Sequence, residues 1–394
     1  MKIKKRNIYL TLFLGIQILF MRWIESNPSF IETYYSRGIY PYISSFLRIL
    51  FGWMPFSFGD LIIILFGLYL IYLIYKLVST RFTNMVSKVF GVTSFISIVY
   101  FLFYFLWGLN YFREPLNKNL EFKTTPYNNE ELVNLTKYLV TKLNQSHLAI
   151  TKSDSISIII PHSNQDIYLL AKKGYKKLAH DNSLFNYKYG RAKNSLISVF
   201  QSYNGTSGYL NPFTGEAQVN RLIPKTILPT TTTHEMAHQI GFAAENEANF
   251  IGFLAALSSD DPYFKYSAYR MATRYTIFEL YKRDKDTAHW DSLYVGLNDT
   301  QATDGSYSPE THLTFESEQV TGSLFEEQNP VSAQLTFQLQ NKYIISPIKS
   351  GMMVIHQHLA HQRILYEELL KNITVHQGVS QQLLFPLELP FSIF

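Results

Sequence analysis

The sequence predicts an α+β protein, an N-terminal three-helix transmembrane anchor followed by a domain with a small mixed sheet and two metal-binding helices. Three observations predict it. Three long apolar stretches fall in the first 115 residues, helical and strand patterns alternate with turn signals beyond Pro115, and a His234–His238 pair lies between two helical patterns.

The apolar stretches set spans at about 7–24, 60–78 and 89–109, within an anchor of residues 1–114. A bilayer core takes roughly 20 residues of helix, with about 17 as the lower limit. Arg22, Trp23 and Ile24 leave no small-residue cleavage site after the first stretch, so it reads as an uncleaved anchor, not a signal peptide. Trp107 and Tyr111 close the third as an interfacial belt does. Lys2, Lys4, Lys5, Arg6, Lys76, Arg81 and Lys88 mark the cytoplasmic side, which puts everything after Leu109 outside the cytoplasm of a bacterial inner membrane. Residues 26–59, with Pro28, Pro41, Pro55 and several aromatics, read as short interfacial helices and turns.

The domain is expected over residues 115–285. Leu132, Leu135, Leu139 and Leu143 recur at helical spacing behind an Asn128 or Asn129 start signal. A strand is expected at Ser155 to Pro161. Asp166 to His180 reads as a helix whose lysines 172, 173, 176 and 177 form a solvated face. Strands are expected at Ser195 to Gln201 and Gly215 to Leu222, around a turn region from Asn204 to Pro212. Thr232 or Thr233 is the expected N-cap of the next helix. Residues 286–394 turn polar, with a helix returning at Met352 to Leu370, and are either part of the same domain or a separate region.

Composition narrows the chemistry. Cysteine is absent, which removes disulfides, thiolate metal sites and a cysteine nucleophile. Net charge is only +5 and no basic run is interleaved with aromatics, so nucleic acid is not an expected partner. Any metal must be held by His, Asp or Glu.

His234-Glu235-Met236-Ala237-His238 meets that condition. Residues four apart share a helical face, so both imidazoles reach one Zn²⁺ at about 2.0–2.1 Å. Glu235 points to a neighbouring face, where a general base belongs. Gly241 offers a helix stop, and a second helical pattern begins at Ala244. A catalytic zinc takes three protein ligands and keeps one position open. Glu245 and Glu247 are the candidate third ligands. Tyr266, Tyr269 and Arg270 are the candidates for polarising a carbonyl, although each is more simply packing. His356, His358 and His361 read as a surface cluster.

Glu245-x-x-Ala248-Asn249 is similar to the gluzincin signature, whose glutamate binds zinc and whose acid four residues on orients a ligand histidine. Asn249 stands at the acid's position. The resemblance implies a zincin-like metallopeptidase domain and favours Glu245 as the third ligand. A metzincin would need His at position 244, where Ala stands, and the apolar run from Phe250 to Leu257 is too short for an intramembrane protease.

Longer stretches carry a second resemblance. Pro55-Phe56-Ser57-Phe58-Gly59-Asp60, Asn211 to Asn220, and Thr233 to Gln239 running into Glu245 to Phe250 resemble a family of bacterial membrane proteins catalogued as domain of unknown function 3810. The resemblance spans roughly residues 1–270 and implies a membrane anchor with a zincin-like domain. Residues 215–220 are read either as the edge strand of a peptide-binding cleft or as a buried turn and strand; Glu216 is a weaker candidate for metal or substrate.

The expected function is a membrane-anchored, zinc-dependent hydrolase acting on peptides or proteins, with Glu235 as general base. The alternative is a non-catalytic membrane protein whose structural zinc serves binding or assembly.

Overall fold

A computed structural model describes residues 3–80, 83–121, 124–154, 156–283, 337–339, 343–348 and 351–356. The chain divides into two compact units, residues 1–314 and 315–394.

Among the described residues, three helices are long and apolar enough to cross a membrane. They are α1 (Lys5–Glu25), α4 (Phe58–Ser79) and α5 (Met85–Leu106), with mean hydropathies of 1.4, 2.5 and 2.1. The chain associates with a membrane through this N-terminal region. Polar groups inside the spans pair with one another, as a dry environment demands. Gln17 Nε2 donates to Ser97 Oγ at 2.9 Å, and Thr11 and Thr93 share a hydrogen bond of 2.7 Å.

Between α1 and α4 the chain stays helical. A short α2 (Pro28–Phe30) runs through a π-helix (Ile31–Ile39) into α3 (Tyr40–Gly52). α3 is two-sided. Tyr40, Ser44, Leu47 and Arg48 are buried, while Tyr42, Phe46, Ile49, Leu50 and Trp53 form an exposed apolar stripe.

After a 3₁₀ turn (Gly108–Phe112) come α6 (Leu116–Asn119), α7 (Asn129–Thr151) and α8 (Asn164–Asp181). The starts of α7 and α8 are fixed by capping boxes, Asn128 with Glu131 and Ser163 with Asp166. The lysine face of α8 is exposed as expected. No strand forms among the described residues from Ile156 to Pro161.

The sheet is small. β1 (Ala192–Asn194), β2 (Gly208–Asn211) and β3 (Glu216–Val219) lie in the order β1-β3-β2, with β1 parallel and β2 antiparallel to β3. The strand expected from Ser195 to Gln201 is displaced: β1 ends at Asn194 and α9 (Ser198–Asn204) takes its place. Serine and asparagine at the ends of α9 and Gly205 with φ 79° give this segment helix-and-stop chemistry that alternation concealed.

α10 (Leu228–Gln239) packs against all three strands, and α11 (Glu245–Leu257) and α12 (Pro262–Arg283) pack against α10. One core joins Tyr175 of α8, Ala217 and Val219 of β3, Met236 and Ala237 of α10, Ile251 of α11 and Phe264 of α12. In the second unit β4 (Phe337–Leu339), β5 (Tyr343–Ile348) and β6 (Gly351–His356) form an antiparallel sheet. The helix expected from Met352 therefore starts as a strand instead. Its remainder, with His358 and His361, lies outside the described residues.

Candidate metal centre

α10 begins earlier than its threonines suggested. Pro229 occupies the first turn, where a missing N–H costs nothing, and the helix runs from Leu228. Thr232 and Thr233 are therefore interior, bonding back to the carbonyls of Leu228 and Pro229 at 2.7 and 3.2 Å. His234 sits in mid-helix, and ten of the twelve residues of α10 are buried.

His234 and His238 stand on one face of this helix with ring planes at 89° and centroids 4.7 Å apart. Their Nε2 atoms are 3.1 Å from one another. Glu245, in the first turn of α11, brings Oε2 to 3.2 Å from His234 Nε2 and Oε1 to 3.4 Å from His238 Nε2. His238 Nδ1 lies 2.7 Å from the Phe242 carbonyl, an acceptor only, so Nδ1 carries the proton and Nε2 of the neutral ring is a lone pair.

These separations test whether the residues fit a metal. Ligands at about 2.0–2.1 Å from a tetrahedral ion stand about 3.3–3.4 Å from one another. The His234, His238 and Glu245 atoms match that edge to within a few tenths of an ångström. The donor set, two imidazoles and a carboxylate, is that of a zinc site with an open fourth position. Among the described residues the His234, Glu235 and His238 ligand atoms also lie within 4.8 Å of one another.

Glu235 is buried, and its Oε2 has no hydrogen-bond partner. Burial pushes its carboxyl above the ordinary range, against the opposing charges of His234 and His238. For His238 burial works to lower the pKa, but the hydrogen bond it donates to Glu245 and the charges of Glu235 and Glu245 outweigh it and raise it. Burial disfavours the charge on Glu245, whose carboxyl is nonetheless held well below the usual carboxylate range by hydrogen bonds from His234 and His238. A buried carboxylate with an unpartnered oxygen beside two imidazoles is poised for proton transfer.

The end of α10 is held by the membrane-proximal helices. Trp107 Nε1 donates to His238 O at 3.0 Å. Tyr40, Ser44 and Arg48 all donate to Gln239 O, at 2.9, 2.6 and 3.1 Å. Those carbonyls are the ones a helix end leaves without internal partners. Gly241 ends the turn with φ 93°, as expected, and Arg113 donates to its carbonyl at 2.8 Å. Arg113 is in turn paired with Glu32 on the π-helix at 2.9 Å. None of these partners carries a sequence signal of its own, since each is an ordinary residue in an apolar or interfacial segment.

Other expected residues fall elsewhere. Glu247 Oε1 accepts from Leu116 N at 2.7 Å, which leaves Glu245 as the carboxylate facing the histidines. Asn249 is a hydrogen-bonding neighbour of Tyr275 instead of a ligand imidazole, and Tyr275 also feels the charge of Glu245. Tyr266 and Tyr269 pack with Val140, Leu143 and Ile277, and Arg270 is buried. Glu216 is ion-paired with Lys193 at 2.6 Å, both side chains almost fully buried. β3, the 216–219 strand, is the centre of its sheet and not an edge; the edge beside the centre is β2. Its first residue, Gly208, lies against Glu235, so close that a Cβ there would meet Oε1 at 2.7 Å.

Comparison with known proteins separates the chain into two parts. Residues 336–393 match a family described as the MutL C-terminal dimerisation domain. Proteins named DNA mismatch repair protein MutL are similar over a limited stretch. The one from Christiangramia forsetii is 53% identical over 112 residues, covering 28% of this chain and 18% of that protein. That from Flavobacterium psychrophilum is 55% identical over 105 residues, 26% of this chain and 16% of that protein. The chain thus spans less than a fifth of the length of these relatives. No solved structure matches it. Residues 35–328, which include the second half of the π-helix, all of the anchor from α3 onward and every residue of the histidine cluster, match the family described as Protein of unknown function (DUF3810), and the chain belongs to that family.

Proposed function

We propose that the protein is a membrane-anchored zinc metallopeptidase. The observation that carries this reading is the convergence of His234 Nε2, His238 Nε2 and Glu245 on one point, with the buried, unpartnered Glu235 oxygen beside it. His234, His238 and Glu245 hold the ion. Bound zinc supplies Lewis-acid polarisation of the scissile carbonyl and acidifies an attacking water. Glu235 takes the proton from that water and returns it to the departing amine; burial raises its carboxyl towards the range in which both transfers are efficient. The Phe242 carbonyl fixes the ring of His238, and the free edge of β2 beside Glu235 offers backbone groups to an extended peptide.

The MutL-like segment lies outside this chemistry. Its likeness is to a dimerisation domain, and we assign it to self-association rather than catalysis.

The test uses the full chain in detergent or vesicles. Metal analysis should give about one zinc per chain, and His234→Ala should lose it. Glu235→Gln should keep the metal and lose hydrolysis of a peptide library by a factor of about 10²–10⁴. A structural zinc, the rival reading, predicts that Glu235→Gln changes neither metal content nor any activity.

A further inference from the structure

Outside the spans, α9 carries an exposed apolar face, as α3 does. Leu196, Val199, Phe200 and Tyr203, in α9 and the turn before it, are 50%, 56%, 64% and 87% exposed. Their spacing is that of a single helical face. A contiguous exposed stripe of large apolar side chains marks a contact surface.

Its position says what the contact is. Asp60, in the first turn of the membrane span α4, accepts from Leu196 N at 2.7 Å and also from the Tyr209 hydroxyl. These two residues bracket α9, so one carboxylate at the mouth of a span holds both ends of the segment. Lys193, just ahead of it, donates to Phe51 O at 2.7 Å and Phe56 O at 3.0 Å in the turn leading into α4. α9 therefore lies at the level where α4 enters the bilayer. The exposed stripe of α3, from Tyr42 to Trp53, ends ahead of the same turn. Aromatic residues at such a level are the usual anchors at the headgroup boundary.

The seat bears on the site. Only residues 205–207 separate α9 from β2, and β2 begins at Gly208, against Glu235. A peptide added along the free edge of β2 would thus run just above the lipid.

We propose that α9 and α3 seat the domain in the headgroup region of the adjoining leaflet, and that the site acts on peptide segments lying on, or emerging from, the membrane surface. The second half rests on the metallopeptidase reading; the first does not.

The absence of cysteine makes the seat measurable. Phe200→Cys, and Lys172→Cys on the exposed face of α8 as a control, are labelled with an environment-sensitive fluorophore on the full chain in vesicles. Lipids carrying a nitroxide near the headgroup should quench and blue-shift the label at position 200 and leave that at 172 unaffected. Equal behaviour at the two positions overturns the seat. For the substrate, one peptide is tethered to lipid through spacers of about 5 or about 20 residues, which reach at most roughly 18 or 70 Å. Cleavage of the short-spacer form at least as fast as the long one upholds the proposal, and cleavage of the long form alone overturns it. If neither form is cleaved, the peptidase reading falls together with the substrate assignment, and the fluorophore alone decides the seat.

Discussion

The indole N–H of Trp107, one residue past the end of α5, donates to the backbone carbonyl of His238 at 3.0 Å. A membrane span and a candidate metal ligand thus share a hydrogen bond, and the anchor is a structural part of the site. Tyr40, Ser44, Arg48 and Arg113 extend the same contact around the end of α10.

A chain beginning at residue 115 should therefore not retain the site. Removing five capping donors exposes the α10 carbonyls and the cluster of Ile31, Tyr35, Tyr40 and Trp107 that covers Ala243. Each buried group left unsatisfied costs about 1–3 kcal/mol, a large share of a typical total stability of about 5–15 kcal/mol. The shortened chain is expected to lack a cooperative melting transition and to bind zinc without a defined stoichiometry. Full-length protein with Trp107→Phe should keep both, with a lower Tm.

The division of labour between sequence and tertiary structure follows from this contact. The spans, the start signal of α7 at Asn128, the stop at Gly241 and the His234–Glu235–His238 spacing were legible because each depends on neighbours within a few residues. Spacing alone left Glu245 and Glu247 both open, and the bond from Leu116 N to Glu247 that separates them is a tertiary contact. Asn249 misled, since a sequence signature cannot show that it turns to Tyr275 while Nδ1 of His238 meets the Phe242 carbonyl and Nδ1 of His234 has no hydrogen-bond partner. The threonine run misled in a similar way: four good cap residues in a row hid the earlier start at Leu228. The donors on Gln239 O come from about 190 to 200 positions away in sequence, and no local pattern encodes such a pairing.

The buried pair Lys193–Glu216 joins β1 and β3 to the entrance of α4, because Glu216 also accepts from Gly59 N at 2.6 Å. Breaking a buried ion pair from one side leaves an unpaired charge and costs about 3–5 kcal/mol. Lys193→Met should lower Tm strongly. Adding Glu216→Gln to it should restore part of the loss, because the orphaned charge disappears. A double variant no more stable than Lys193→Met alone would show that the lysine acts through its bonds to Phe51 and Phe56 instead.

Protons and metal should compete at the histidines. In the metal-free protein the pKa of His238 is raised, chiefly by Glu245 overcoming burial, so its charged form adds stability below its unfolded value of about 6.5. That contribution fades as pH rises through the folded value. The lowered carboxyl of Glu245 contributes above its unfolded value of about 4.3 and is lost as pH falls through the folded one. The metal-free chain should thus gain most from this pair between about pH 4.3 and 6.5, and lose the His238 part of that gain as pH rises through that residue's raised folded value. Zinc affinity should move the other way, rising with pH as His238 gives up its proton. Parallel thermal melts with and without chelator across pH 5–8 would check both signs. A zinc-dependent Tm increment that does not grow with pH would contradict the assigned ligands.

Gly208→Ala tests the role of Glu235 without touching it. A Cβ at this position would stand 2.7 Å from Glu235 Oε1, 2.9 Å from its Cγ and 2.9 Å from Gln218 O. The Glu235 side chain can turn aside, while the contact with Gln218 O also requires a small shift of β2 against β3. Displacement of a general base by even a fraction of an ångström lengthens the hydrogen bond through which it acts, and full loss of such a base costs about 10²–10⁴ in rate. Hydrolysis should therefore fall by up to that factor, mostly in kcat, while zinc content stays at the wild-type level because the atoms nearest the added Cβ belong to Glu235 and Gln218 and not to His234, His238 or Glu245. Unchanged kcat would mean that Glu235 is not the proton carrier. Loss of zinc together with activity would mean that the strand supports the whole of α10, not its glutamate alone.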